Sequence, residues 1–289
     1  MGRVESFNPD FTSFDLGSSL DSMPGAREYY YLNRFSSDDL MDIMSEVGLV
    51  RHLEKKGFSD LHIQIEIDEA KVHYLKLYNG EIKPGNLLLD LRLTETKFRP
   101  AEEFFSERIG ALTFDMIVIE WLSAQNPKGE FSDDKPQLPG QKRPGLGILN
   151  YCFEMMYLVA REITRDGFMD VPDHMHGAVM YSRKFKFFNP AHEAVLRAIM
   201  RDLSDYHLVD ISWGMITDTV IDRDKGVPQV YDPSEQIFSV SDRMHKYFQS
   251  RKYRDKFNEV YKKKHYYLDY DEMVKRRDDI LKKKSIVEL

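Results

Sequence analysis

Cysteine is nearly absent: Cys152 is the single one in 289 residues. One thiol closes no intrachain disulfide and supplies no zinc cluster, so the fold must rest on its apolar core and a reducing compartment is expected. No apolar run approaches the roughly 18 residues that cross a bilayer, and no membrane span is expected. The first residues lack a basic segment followed by an apolar stretch, which leaves the cytoplasm as the expected location. Two enzyme signatures are also missing. No Gly-x-Ser-x-Gly elbow is present for a serine hydrolase, and no Gly precedes a Lys-Ser or Lys-Thr pair as a nucleotide phosphate loop requires. A net charge of −7 excludes a surface built throughout for nucleic acid. The basic residues collect late, in Lys262-Lys263-Lys264 and Lys282-Lys283-Lys284. A solvated helical surface explains such runs, and an acidic carrier protein is the alternative they would suit.

What the chain does have is a change of periodicity along its length. Residues 1–34 are rich in Ser, Gly, Asp and Pro without a period and read as an arm. Ser36-Ser37-Asp38-Asp39 caps a helix expected to run to about Gly57, with Leu40, Ile43, Met44, Val47, Val50 and Leu53 on one face. Alternation then predicts strands over Leu61–Ile67, Val72–Tyr78 and Leu87–Leu93, with Asp90 and Arg92 facing away from most of the leucines. A short helix is expected over Ala101–Glu107. A central strand follows over Ala111–Ala124, apolar on both faces through Met116-Ile117-Val118-Ile119.

The most informative stretch runs from Gln137 to Phe188. A Gly-rich turn, Leu138-Pro139-Gly140-Gln141-Lys142-Arg143-Pro144-Gly145-Leu146-Gly147, opens an apolar helix that stops near Gly167. Backbone amides at such a turn and helix start lack intrahelical acceptors, so the place suits an anion. A short strand over Phe168–Val171 and a second helix begun by Pro172-Asp173 and carrying Gly177 and Tyr181 complete the unit. Asn189-Pro190 starts a further helix, Leu208–Thr219 alternates as a strand does, and helices are expected after Pro233.

This order resembles the GNAT N-acetyltransferase superfamily. The first family signature falls on Lys142, Gly145 and Gly147, with Lys142 in place of Gln or Arg and Pro144 lacking an amide donor. The second falls on His174, Gly177, Tyr181 and Phe187, with His174 for Asn and Lys186 for Gly. The resemblance implies an α/β fold with a mixed, mostly antiparallel central sheet flanked by helices. The resemblance covers about residues 87–188; with the arm over 1–34, the acyltransferase-like domain is expected over 35–205 and a largely helical C-terminal extension over 206–289. It further implies transfer of an acetyl or longer acyl group from acetyl-CoA or another acyl-CoA to an amine. Lys142, Arg143, Gly145, Leu146 and Gly147 would then hold the carrier, and Tyr181 would protonate the leaving thiolate. An acyl carrier protein could replace coenzyme A, and a fold that keeps the shape without catalysis, acting as a binding module, is the alternative.

Such a reaction needs a base. Glu120 and Asp115 are the carboxylates of the central strand, and their odd separation predicts opposite faces; Glu120, nearer the strand end, is preferred. Asp173-His174-Met175-His176 has metal-ligand residue types, but two His two apart on a helix diverge by about 200° and no third ligand is near, so no metal is expected. Cys152 lies on the apolar helix face, where burial disfavours thiolate.

Overall fold

The computed structural model describes residues 29–101, 113–132, 136–163 and 165–283. Ser36 caps α1 (Ser37–Glu46): its hydroxyl accepts the Asp39 N–H at 3.1 Å and the Asp39 carboxylate accepts the Ser36 N–H at 2.8 Å. The single helix expected here is two. Gly48, at φ 81°, breaks the chain and α2 (Leu49–Lys55) restarts it, because a left-handed residue cannot continue an α-helix. Leu40, Met44, Leu49 and Leu53 all stay buried on one side of the pair.

Strands β1 (Leu61–Ile67), β2 (His73–Asn79), β3 (Leu87–Phe98) and β4 (Phe114–Ala124) form an antiparallel meander. The first hairpin is closed by Asp68, whose carboxylate accepts from the Val72 N–H at 2.9 Å and the Tyr74 hydroxyl at 2.8 Å. The leucines of β2 and β3 face α1, α2 and α3 (Leu149–Ile163), where Cys152, Phe153 and Met156 are buried. On the other face Arg92 grips the buried Asp90 with three hydrogen bonds and lies over the Tyr74 and Trp121 rings. The helix expected over Ala101–Glu107 lies, but for its first residue, outside the described residues.

After α3 the chain adds β5 (Gly167–Asp170), α4 (Met175–Tyr181), β6 (Lys186–Phe187), α5 (Pro190–Asp202) and α6 (Leu208–Ile216). Asn189 caps α5, accepting from the Ala191 N–H at 2.9 Å, with Pro190 in its first turn. The segment expected as a strand from Leu208 is α6. Five consecutive residues of it, Ile211 to Met215, are buried, and a helix covered nearly all round shows no polar face from which its period could be read.

Then come β7 (Val220–Asp222), β8 (Val227–Pro228), β9 (Gln236–Ser239), α7 (Asp242–Phe248), α8 (Arg251–Lys263), β10 (Tyr266–Leu268) and α9 (Tyr270–Lys283). The fold is mixed α/β: a mostly antiparallel seven-stranded sheet, ordered β1-β2-β3-β4-β5-β9-β6, flanked by helices and followed by a helical C-terminal part. A smaller sheet runs β10-β7-β8. Strand β9 comes from the stretch expected as an extension, yet it pairs with both β5 and β6. The C-terminal part therefore builds the main sheet as well as covering it. Phe114, Met116 and Ile237 pack against Met244, Tyr247 and Tyr253 on the face opposite α3. Asp166 ties the two halves, with its carboxylate accepting from Arg243, the Ser241 hydroxyl and the Asp115 N–H.

Candidate active site

Strands β4 and β5 are parallel neighbours, but they pair only from Met116–Val118 to Gly167–Met169. Strand β4 continues to Ala124 while β5 ends at Asp170. The next pairing on that edge of β4 is Gln125 with Gly145, reinforced by the Asn126 N–H donating to the Pro144 carbonyl at 2.8 Å. Between Val118 and Gln125 the β5-side edge of β4 has no ladder partner among the described residues. At about 3.3 Å per residue this is about 20 Å of strand edge that no described residue pairs with. The Gly-rich turn closes one end of the fork and Asp170 stands near the other.

The turn is held from several sides. Gly140, at φ 76°, allows the Leu138–Gln141 turn, in which the Gln141 N–H donates to the Leu138 carbonyl at 3.1 Å. The Leu146 carbonyl lies 3.3 Å from His52 Nε2, and Arg143 donates to the Pro127 carbonyl at 2.9 Å. Pro144, Leu146 and Ile148 are buried and alternate with exposed Gly145 and Gly147. Leu146 is thus a core side chain, and only its backbone can face a ligand. A Cβ at Gly145 would meet only the Ala124 carbonyl, at 3.7 Å, and at Gly147 nothing within 4 Å, so space for a ligand adjoins both. Gly147 has φ 71°, a conformation that an L side chain strains to adopt. The α3 N-terminus follows directly. Lys142 is exposed and without an ion-pair partner among the described residues. Lys142 thus offers an exposed ammonium beside a turn whose backbone is open at Gly145 and Gly147.

Glu120 sits where β4 is irregular. Leu93 pairs with Ile119 and Arg92 with Trp121, which leaves Glu120 as the extra residue of a bulge. The alternation therefore resets after Glu120, and Trp121, an odd position like Asp115, joins Arg92 on the face away from the leucines. Partial burial and the charge of Asp68 raise the Glu120 carboxyl from its ordinary value. Asp115 lies at the other end of the strand, 3.9 Å from Lys97, away from the fork.

Asp170 is the carboxylate that the sequence reading missed. Its carboxyl is pushed up to about 7, chiefly by burial and then by the charges of Asp173 and Glu120. It lies opposite Gln236 in the β5–β9 pairing. Gln236 is fully buried; its amide donates to the Ala178 carbonyl at 3.2 Å, and its side-chain oxygen has no partner among the described residues. Tyr181, on α4, packs against Phe153 and Phe185 at ring separations of 5.6 and 5.1 Å. Its hydroxyl is raised well above its ordinary value by burial and by the charge of Asp170. Asp170 and Tyr181 are thus close enough to sense each other, one a carboxyl poised near neutral pH and the other a phenol that keeps its proton.

His174 is not helical: as the residue before α4 it has φ −126° and ψ 147°, so the divergence expected of a helix does not apply. Its ring stacks on His176 at 5.3 Å. A Cβ on Gly140 would lie 4.0 Å from His174 Nε2, which joins the Gly-rich turn to the start of α4. No cluster of three or more His, Cys, Asp or Glu fit to hold a metal occurs among the described residues. Burial pushes the Cys152 thiol up to about 12, which leaves it inert. In the basic C-terminal part, Lys264 is drawn inward to the buried Asp222, and Lys263 and Lys282 pair with Glu259 and Asp279. Among the described residues no helix is long and apolar enough to cross a membrane.

Comparison of the chain with protein-family models, with curated proteins and with solved structures finds no match. The functional reading rests on the site itself.

Proposed function

We propose that the chain is an N-acyltransferase of the GNAT type, moving an acyl group from an acyl-CoA thioester to an amine. The observation that carries this reading is the open edge of β4, bounded by the Gly-rich turn at one end and by Asp170 near the other. An extended amide-bearing arm can pair with free strand N–H and C=O groups as an added strand does. The phosphates at the head of that arm then meet the backbone of Gly145 and Gly147 and the Lys142 ammonium, and its thioester lies toward Asp170 and Tyr181.

Asp170 takes the proton of the acceptor ammonium, which frees the nitrogen lone pair. The new bond joins that nitrogen to the thioester carbonyl carbon, and the carbon–sulfur bond breaks. Tyr181 gives its hydroxyl proton to the departing sulfur, and the second proton that the nitrogen sheds as the amide forms restores the Tyr181 hydroxyl, a donor role suited to a phenol held in its protonated form. Glu120 adds negative charge beside Asp170 and keeps that carboxyl basic enough for the task. Calorimetric titration with acetyl-CoA and CoA tests the carrier half of the reading. Micromolar binding of both, weakened by added phosphate, is the expected result. No heat from either ligand refutes it.

A further inference from the structure

A concavity of about 200 Å³ lies between α4, α6 and the segment before β9, with Asp173, whose charge Asp170 senses, on its wall. Asp173, Asp218, His174, His176, Tyr231 and Met215 are among its lining residues, and no Lys or Arg is among those described. Tyr231 connects it to the fork: its hydroxyl donates to the Pro172 carbonyl at 2.8 Å, and it senses the charges of Asp170 and Asp173. His176 is 9% exposed and lines this space, and its ring nitrogens have no hydrogen-bond partner among the described residues. The ring is therefore free to take a hydrogen bond from a group that enters this space.

We infer that this pocket selects the acceptor, and that the acceptor is an aliphatic diamine held by its far ammonium while the near amine is presented to Asp170. The inference rests on the acyl-transfer reading and names the substrate class of the same site. Asp173 and Asp218 supply negative charge with no cation opposing it among the described residues, so a cationic group is favoured and a carboxylate repelled. Met175, Met215 and Ile216 give the hydrocarbon portion an apolar wall. Burial, with His174 beside it, lowers the His176 imidazole to about 4, so the ring is neutral and its lone pair can accept an ammonium proton. At about 30 Å³ per water-sized group the space holds about six or seven such groups, close to the about six heavy atoms of 1,4-diaminobutane. The cation would also relieve the mutual repulsion of Asp170, Asp173 and Glu120.

The test measures binding without any acyl donor, by calorimetry and thermal shift, for 1,4-diaminobutane, 1-aminobutane and 4-aminobutanoate. Two partly solvated carboxylates, each worth up to about fivefold, give the diamine an expected advantage of about tenfold over 1-aminobutane, with 4-aminobutanoate weakest. The double variant Asp173→Asn, Asp218→Asn should erase that advantage. Both positions are exposed, and Asn tolerates the φ of 56° at Asp218, so the fold is kept. His176→Phe should weaken the diamine while leaving acetyl-CoA binding unchanged. Equal affinity for diamine and monoamine, or a preference that survives the double variant, overturns the inference. Diamine selectivity in a protein that does not bind acetyl-CoA keeps the pocket and removes the acyl-transfer reading, whereas acetyl-CoA binding without diamine selectivity does the reverse.

Discussion

Replacing Asp170 by Asn should make the protein more stable at alkaline pH while abolishing turnover. Asp170 has an ordinary value of 3.8 in the unfolded chain and about 7 in the folded one. The folded state therefore binds more protons between these values, and stability falls as pH rises from about 4 to 7. The loss is complete above about 7. At about 1.4 kcal/mol per pH unit the gap corresponds to about 4 kcal/mol, which is an upper figure because water and side chains relax around the charge. Asn has similar shape and no charge to bury. Urea unfolding of wild type and Asp170→Asn at pH 4 and pH 8.5 checks this through the shift in midpoint at constant slope. The expected result is near equality at pH 4 and an advantage for the variant of about 2–4 kcal/mol at pH 8.5. The same difference at both pH values would refute the claim that the half-buried Asp170 carboxyl is raised by desolvation and by its acidic neighbours.

Tyr181→Phe should lower kcat by about a hundredfold with little change in acetyl-CoA affinity, because it removes a proton donor whose hydroxyl has no hydrogen-bond partner among the described residues; equal kcat excludes Tyr181 from the mechanism. Gly145→Asp should abolish acyl-CoA binding while shifting Tm little, since its Cβ meets only the Ala124 carbonyl; calorimetry and a melting curve read the two effects separately. Arg243→Met leaves Asp166 buried without its cation and should cost about 3 kcal/mol at pH 7 by urea unfolding. Burial alone would raise the Asp166 carboxyl, but Arg243, Ser241 and the Asp115 amide hold it below its ordinary value. The stability it contributes is present above 3.8 and is lost as pH falls through the still lower folded value, so the cost of Arg243→Met should shrink in acid.

The elements governed by local chemistry were legible in the sequence. The Ser36 cap, the alternation of Leu61–Ile67, the placing of Asp90 and Arg92 on the face away from the leucines, and the Asn189-Pro190 start of α5 each depend on neighbours within a few residues. The bulge at Glu120 was not legible, because a parity count assumes a regular ladder and only the pairing with Leu93 and Arg92 reveals the extra residue. Asp170 was missed for a related reason. It ends a four-residue strand, and its altered acidity comes from burial beneath segments far along the chain and from Asp173 and Glu120. The Gly48 break was hidden by apolar spacing that suits both halves of the helix pair, and α6 by burial on nearly every side.

Free thiol released from acetyl-CoA with 1,4-diaminobutane as acceptor, followed from pH 5 to 9 at saturating substrate, tests the central claim most directly. The expected result is amine-dependent release that rises through an apparent pKa near 7 in wild type and disappears in Asp170→Asn. Absence of amine-dependent release at every pH, or an Asp170→Asn variant with the wild-type profile, would contradict it.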